Sequence, residues 1–417
     1  MNVQRTTHQV FNRSLILSIF IIFLSSIVSL LYCSGNAFAG IFVGKIFPLL
    51  MNLPIMLFSI IVILERDGKL SLSLSDFIDV IAIIYFIYLL INSSWGLYIG
   101  NSPYKVLADL YRYSLIFFVY FLIKRNYSLN KRTKRLYIVV IYISQFARFL
   151  LFLYFLLKFR FTRYSVSSIF IILYFLQRKR MGPFLKTFLF VFILLSLLLS
   201  YTRVGLIINT LLILYLSLFY KKTRIRVSFT FILRFIFIIV VIYLLVAYVP
   251  VVNKYTSLVF QRFLKTFDTI NKLRTNFSSV IDSQTYSDTI EDRVLEVHYS
   301  RARMEQFNQK LLYLIGAGLG AEFENYNGEV TGQVHFGPQR DIFKIGFIGL
   351  LIHNIFYIGY VYFFITKGQK NYLVAFYLFA NYMAYYSYWN FIDVSHLLGV
   401  MLIQGYTTPT KDSSGKS

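Results

Sequence analysis

The sequence has a single cysteine, Cys33, so no disulfide can form within the chain. Tyr32 before it is too large for a lipoprotein processing site, and Cys33 reads as an inert thiol. Acidic residues are scarce, 18 against 42 Lys and Arg, and only 14% of the 417 residues are charged. A soluble domain carries about 25%. This scarcity excludes a water-soluble globular enzyme and a disordered basic protein. It also argues against a nucleic-acid partner, whose binding needs Lys and Arg on a soluble face. Metal-ligand spacing is missing: His8, His298, His335, His353 and His396 form no HExxH or paired pattern. Walker and GxSxG sequences are missing too. No metal and no cofactor is expected.

What the chain has is apolar length, with 57% hydrophobic residues. About 20 apolar residues span a bilayer. About twelve such windows occur, at roughly 14–34, 41–64, 77–96, 104–123, 136–157, 164–177, 184–200, 204–220, 227–249, 341–365, 371–388 and 391–406. The expected fold is an all-α polytopic membrane protein. Residues 1–249 hold helices 1–9, 250–340 a large, partly helical loop, 341–406 helices 10–12, and 407–417 a tail.

The net charge of +24 sits outside the loop, where ten basic residues balance ten acidic ones. Elsewhere the basic clusters are Arg66/Lys69, Lys124 to Arg135, Arg178-Lys179-Arg180, Lys221 to Arg226 and Lys367/Lys370. Each follows an even-numbered window, and basic residues favour the cytoplasmic side. Both termini are therefore expected in the cytoplasm and the loop on the opposite face. Arg13, an apolar stretch and Ala37-Phe38-Ala39 have the layout of a signal peptide. The stretch is long for one, and an uncleaved first helix is expected.

Within the loop, Asp288 and Glu291 have capping-box spacing and open a helix expected over 289–314, which Gly316 ends. Ile290, Val294, Val297, Met304, Leu311 and Ile315 make an apolar stripe that includes Arg301, while Arg303 lies on the polar stripe. Gly316, Gly318 and Gly320 read as a flexible turn.

Cations outside the cytoplasmic segments are the candidates for chemistry. Arg203, in Thr202-Arg203-Val204-Gly205, occupies the turn between helices 7 and 8 on the face that the charge rule leaves poor in basic residues. It is either a snorkelling side chain or an anion site, since a guanidinium matches phosphate oxygens two at a time. His335 to Asp341 lead into helix 10, where Arg340 and Lys344 share a face. They read as an interfacial anchor with an Arg340–Asp341 surface pair, or as cations beside a base. Arg148 lies about nine residues, ~14 Å, below the membrane surface, and intramembrane charge is costly enough to mark a functional candidate. Arg160 and Arg163 lie above it. Arg112 is expected to pair with Asp109, and His353 to be packed within helix 10. Tyr382 to Trp389 form an aromatic belt or a sugar-stacking surface.

These residues resemble the O-antigen polymerase (Wzy) and O-antigen ligase superfamily. The pattern is a Ser/Thr-Arg-x-Gly turn, a long periplasmic loop with Arg-x3-aromatic and a Gly-rich turn, then a His eleven residues before Gly-x-x-Gly. Here it reads Thr202-Arg203-Val204-Gly205, Arg303 with Phe307, Gly316 to Gly320, and His335 with Gly346 and Gly349. Phe336 stands where the family often has Asn, and the Phe307–Gly316 spacing is short. Family register favours Arg303 and the helical stripe favours Arg301. The resemblance implies a fold like that of GT-C-type lipid-linked glycan polymerases in the bacterial inner membrane. It also implies transfer of a glycan from undecaprenyl pyrophosphate to a hydroxyl of a lipid-linked repeat unit. His335 would be the base or the group that orients the acceptor, with Glu322 or Glu324 as substitute bases. Arg203, Arg340 and Arg301 or Arg303 would hold pyrophosphate, with Arg148, Arg163 and Lys344 lining the donor site. A chain-length regulator would be a protein partner. Two alternatives remain, a ligase joining the chain to lipid A–core and a flippase. The flippase predicts internal repeats and short outer loops, which the sequence does not have.

Overall fold

The computed structural model describes residues 2–33, 36–42, 46–64, 76–124, 130–137, 289–305, 309–325, 330–332 and 337–366, with single positions beside them. Helices dominate the described residues. In chain order they are α1 (Asn2–Cys33), α2 (Ala37–Ile41), α3 (Phe47–Leu64), α4 (Phe77–Tyr98), α5 (Pro103–Lys124), α6 (Thr289–Glu305), α7 (Gln309–Ile315) and α8 (Gly337–Thr366). Two short strands, β1 (Phe323–Glu324) and β2 (Val330–Thr331), pair between α7 and α8. The chain divides into two units. One comprises Met1–Arg148, Ala302–Phe323 and Phe336–Ser417, the other Phe149–Arg301 and Glu324–His335.

Among the described residues, two helical stretches are long and apolar enough to cross a membrane, Phe77–Tyr98 and Gly337–Phe363. Both coincide with expected windows. The windows from 164 to 249 and from 371 onward lie wholly or mostly outside the described residues. In the 41–64 window α3 covers Phe47–Leu64, with Pro54 inside it, and residues 43–45 lie outside the described residues.

The first unit is built on a hairpin. Asp76 caps α4, its Oδ1 accepting the Ile78 N–H at 3.3 Å. Gly100, at φ 89°, lets the chain leave α4 and turn into α5. The buried face of α4 repeats every three to four residues through Ile78, Ala82, Tyr85, Leu89, Asn92 and Gly96. Ile84, Ile87, Leu90, Ile91 and Leu97 point outward, the pattern of a helix whose other side meets lipid. From Tyr113 to Leu122, α5 is buried all round, with α3 and α4 packed against it.

At the far end of the hairpin Lys124 Nζ donates to Asp79 Oδ1 and Oδ2 at 2.6 and 2.7 Å and to Asp76 Oδ2 at 3.2 Å. Tyr120 Oη donates to the same fully buried Asp79 at 2.8 Å. The carboxylate is thus buried with a cation and a hydroxyl, as a desolvated charge requires.

Helix α8 packs against α4 and α7. It begins at Gly337, four residues before the expected helix 10, so Arg340 belongs to the helix and not to the loop. Pro338 fits its first turn, where the missing N–H would have had no helical partner. The helix is interrupted at Gly346, which takes φ 70° and ψ 179°. A break inside an apolar helix frees carbonyls that then need other partners. Protein groups meet them: Phe343 O accepts the Ala317 N–H at 2.7 Å, and Ile345 O accepts Tyr88 Oη–H at 2.6 Å.

Of the helix expected over 289–314 the structure describes α6 and α7, with 306–308 outside the described residues, as is Asp288 of the expected capping box. Gly316 does end α7, at φ 81° and with its N–H on Leu312 O at 2.7 Å.

Candidate functional site

The segment after α7 is not the flexible turn its glycines suggested. Gly316, Gly318 and Gly320 all have positive φ, and each lies against another backbone. A β-carbon on Gly316 would lie 2.6 Å from Gly346 N, and one on Gly320 would lie 2.7 Å from Val106 N. One on Gly318 would overlap Gly96. The turn is glycine-rich because three helices approach it more closely than side chains allow.

Polar side chains of the α4–α5 hairpin hold this turn by its backbone. Asn92 Nδ2 donates to Ile315 O at 2.7 Å while its Oδ1 accepts the Leu319 N–H at 2.9 Å. Its amide thus takes up the carbonyl and N–H that would have bonded each other had α7 continued. Trp95 Nε1 donates to Gly316 O at 3.1 Å. Asn101 Nδ2 donates to Ala317 O and Leu319 O at 2.9 and 3.0 Å. The Gly320 N–H donates to Asp109 Oδ2 at 2.9 Å.

Asp109 also forms a buried ion pair with Lys344. Arg112, its expected partner, is farther away at 3.9 Å and half exposed. Lys344 is therefore not an exposed anchor; its charge is met inside the protein. Arg340 and Asp341 likewise do not make the expected surface pair. Both side chains are fully buried, with Arg340 Nε 3.3 Å from Asp341 Oδ1. Tyr113 Oη donates to the same oxygen at 2.8 Å. Burial follows from α5, which brings a hydroxyl and a carboxylate to a stretch of α8 that carries two cations and one acid.

Further into α8, His353 is packed as expected, with Nδ1 3.0 Å from Tyr85 Oη. Tyr85 in turn donates to Tyr113 O at 3.1 Å. Its hydroxyl proton is used there, so His353 Nδ1 carries the proton in their contact.

Arg301 and Arg303 are both exposed on α6, so the apolar stripe does not draw Arg301 inward. Among the described side chains of α6, the buried ones are Leu295, Ser300 and Met304. Ser300, from the expected polar stripe, is inside, with its hydroxyl on Val297 O at 2.9 Å. Glu322 forms an ion pair with Lys105, and Glu324 is exposed at the end of β1. His335, Arg203, Arg148 and Arg163 lie outside the described residues. Among the described residues no group of His, Cys, Asp and Glu is arranged to hold a metal ion.

The site residues that the sequence did not single out are Asn92, Trp95, Asn101 and Tyr113, while Asp109 was read only as the partner of Arg112. A signal existed for Asp109 and Asn92, which are polar positions inside apolar helices and so need partners. No family model, curated protein or solved structure matches the chain.

Proposed function

We propose that the chain is a multi-pass glycosyltransferase of the bacterial inner membrane, an O-antigen polymerase. On this reading it has about twelve spans, with both termini in the cytoplasm and the loop before α8 in the periplasm. It transfers a glycan from undecaprenyl pyrophosphate to a hydroxyl of a second lipid-linked repeat unit.

The observation that carries the reading is the order of motifs around that loop. Thr202-Arg203-Val204-Gly205 precedes it, Arg303 and Gly316 to Gly320 lie within it, and His335 stands before Gly346 and Gly349. The contact between Gly316 and Gly346 supports the reading, because it gives two separate glycine motifs of the pattern one physical reason. So does the pair of apolar helices that bracket the site.

The chemistry suits these residues. The acceptor oxygen attacks the anomeric carbon, the bond from that carbon to the pyrophosphate oxygen breaks, and the pyrophosphate stays on its lipid. His335 takes the acceptor proton, a role suited to a group that titrates near pH 6.5. Charge builds on the leaving pyrophosphate, and Arg203 with Arg301 or Arg303 stabilises it. Arg340, its Nε already held by Asp341, is a cation fixed before substrate arrives. Arg148 and Arg163 line the donor site, and Lys344 holds the fold around it. The donor is already activated, so the transfer calls on no nucleotide.

Deletion of the gene separates polymerase from ligase. Loss of a polymerase leaves lipopolysaccharide capped with a single repeat unit. Loss of all attached O-antigen would assign the chain as a ligase instead.

A further inference from the structure

Asp109 joins three elements that are remote in sequence. It belongs to α5, accepts the Gly320 N–H of the glycine turn at 2.9 Å, and pairs with Lys344 of α8. Both charged side chains are only 5% exposed. The stretch of α8 it grips is short. It runs from Gly337 to the break at Gly346, so the rest of the helix does not fix its direction. Its placement depends on side contacts: Lys344 on Asp109, Phe343 O on the Ala317 N–H, and Asp341 on Tyr113. Arg340 lies one turn from Lys344 on the same stretch.

We propose that Asp109 is a positioning residue. By clamping the glycine turn and the first stretch of α8 together it sets where Arg340 stands, and so controls turnover without touching substrate. The catalytic part of this inference rests on the polymerase reading; the clamp itself does not.

The test uses the full-length protein in detergent or nanodiscs, with Asp109→Asn, Asp109→Glu, Lys344→Met and the double variant Asp109→Asn/Lys344→Met. The double variant leaves no buried lone charge, so it keeps the test open if a single variant fails to fold. Hydrogen exchange across 316–323 reads the clamp. The kcat and KM for purified lipid-linked repeat units read the reaction. In the double variant the expected result is exchange faster by about tenfold or more, kcat lower by about tenfold or more and KM within about twofold. Asp109→Glu should restore part of both. Wild-type exchange in the folded double variant overturns the clamp, and faster exchange with unchanged kcat overturns the positioning role. If the wild-type chain makes no polymer, the positioning role falls with the polymerase reading, and exchange alone decides the clamp.

Discussion

Gly318 and Gly96 touch through their backbones: a β-carbon on Gly318 would meet Gly96 N at 2.8 Å. Gly318 also has φ 78°, a conformation that costs an ordinary residue about 1–2 kcal/mol. Gly100 has a similar φ of 89°, but a β-carbon there would meet nothing within 4 Å. Gly318→Ala should therefore destabilise the protein by more than Gly100→Ala, which suffers backbone strain alone. Thermal unfolding of the purified protein checks this, and equal losses would contradict the close approach.

The break in α8 makes a second prediction. Gly346→Ala forces a side chain into φ 70° and ψ 179°, at a cost of about 1–3 kcal/mol. Tyr88→Phe keeps the helix path but removes the hydroxyl that donates to Ile345 O, and should cost about 1–3 kcal/mol. Both are read as loss of folded protein on heating. If Tyr88→Phe has no effect, the hydroxyl is not what satisfies that carbonyl.

At the other end of the hairpin, Lys124→Met leaves Asp79 fully buried without its cation and should cost about 3–5 kcal/mol. The double variant Asp79→Asn/Lys124→Met should recover much of that loss. A double-mutant cycle measures the coupling, and additive losses would show that the pair does not act as one.

Ion pairs should differ by exposure. Lys105 pairs with Glu322 across a half-exposed surface, with side-chain exposures of 45% and 23%. Lys105→Ala should change stability by about 1 kcal/mol or less. A loss comparable to that of Lys344→Met would show that the turn depends as much on its rim as on its buried clamp.

The apolar runs were legible as helices because a long unbroken apolar stretch without turn residues leaves few other local structures open to it. α4, α5 and α8 lie within a few residues of the windows at 77–96, 104–123 and 341–365. The stop at Gly316 was legible because a positive φ after the last helical turn favours glycine, whereas the contact of Gly316 with Gly346 was not. The clamp was not, because its halves are remote: Asn92 and Asp109 meet backbone groups more than 200 residues away. For the same reason Arg340–Asp341 read as a surface pair, since nothing near it in sequence announces that Tyr113 will bury it. On α6 the apolar stripe misled, because Ser300 can be buried by bonding its own helix backbone while Arg301 stays outside. His335, Arg203, Arg148 and Arg163 rest on sequence pattern alone.

On the proposed reading, this chain alone polymerises lipid-linked repeat units. The direct measurement is incubation of the purified protein with purified undecaprenyl-pyrophosphate-linked repeat units, with products resolved by chain length. The expected result is a ladder of lengthening chains without added nucleotide, reduced to unreacted single units by His335→Ala or Arg203→Ala. No ladder from the wild-type protein, or near-wild-type chain lengths from both variants, would contradict it.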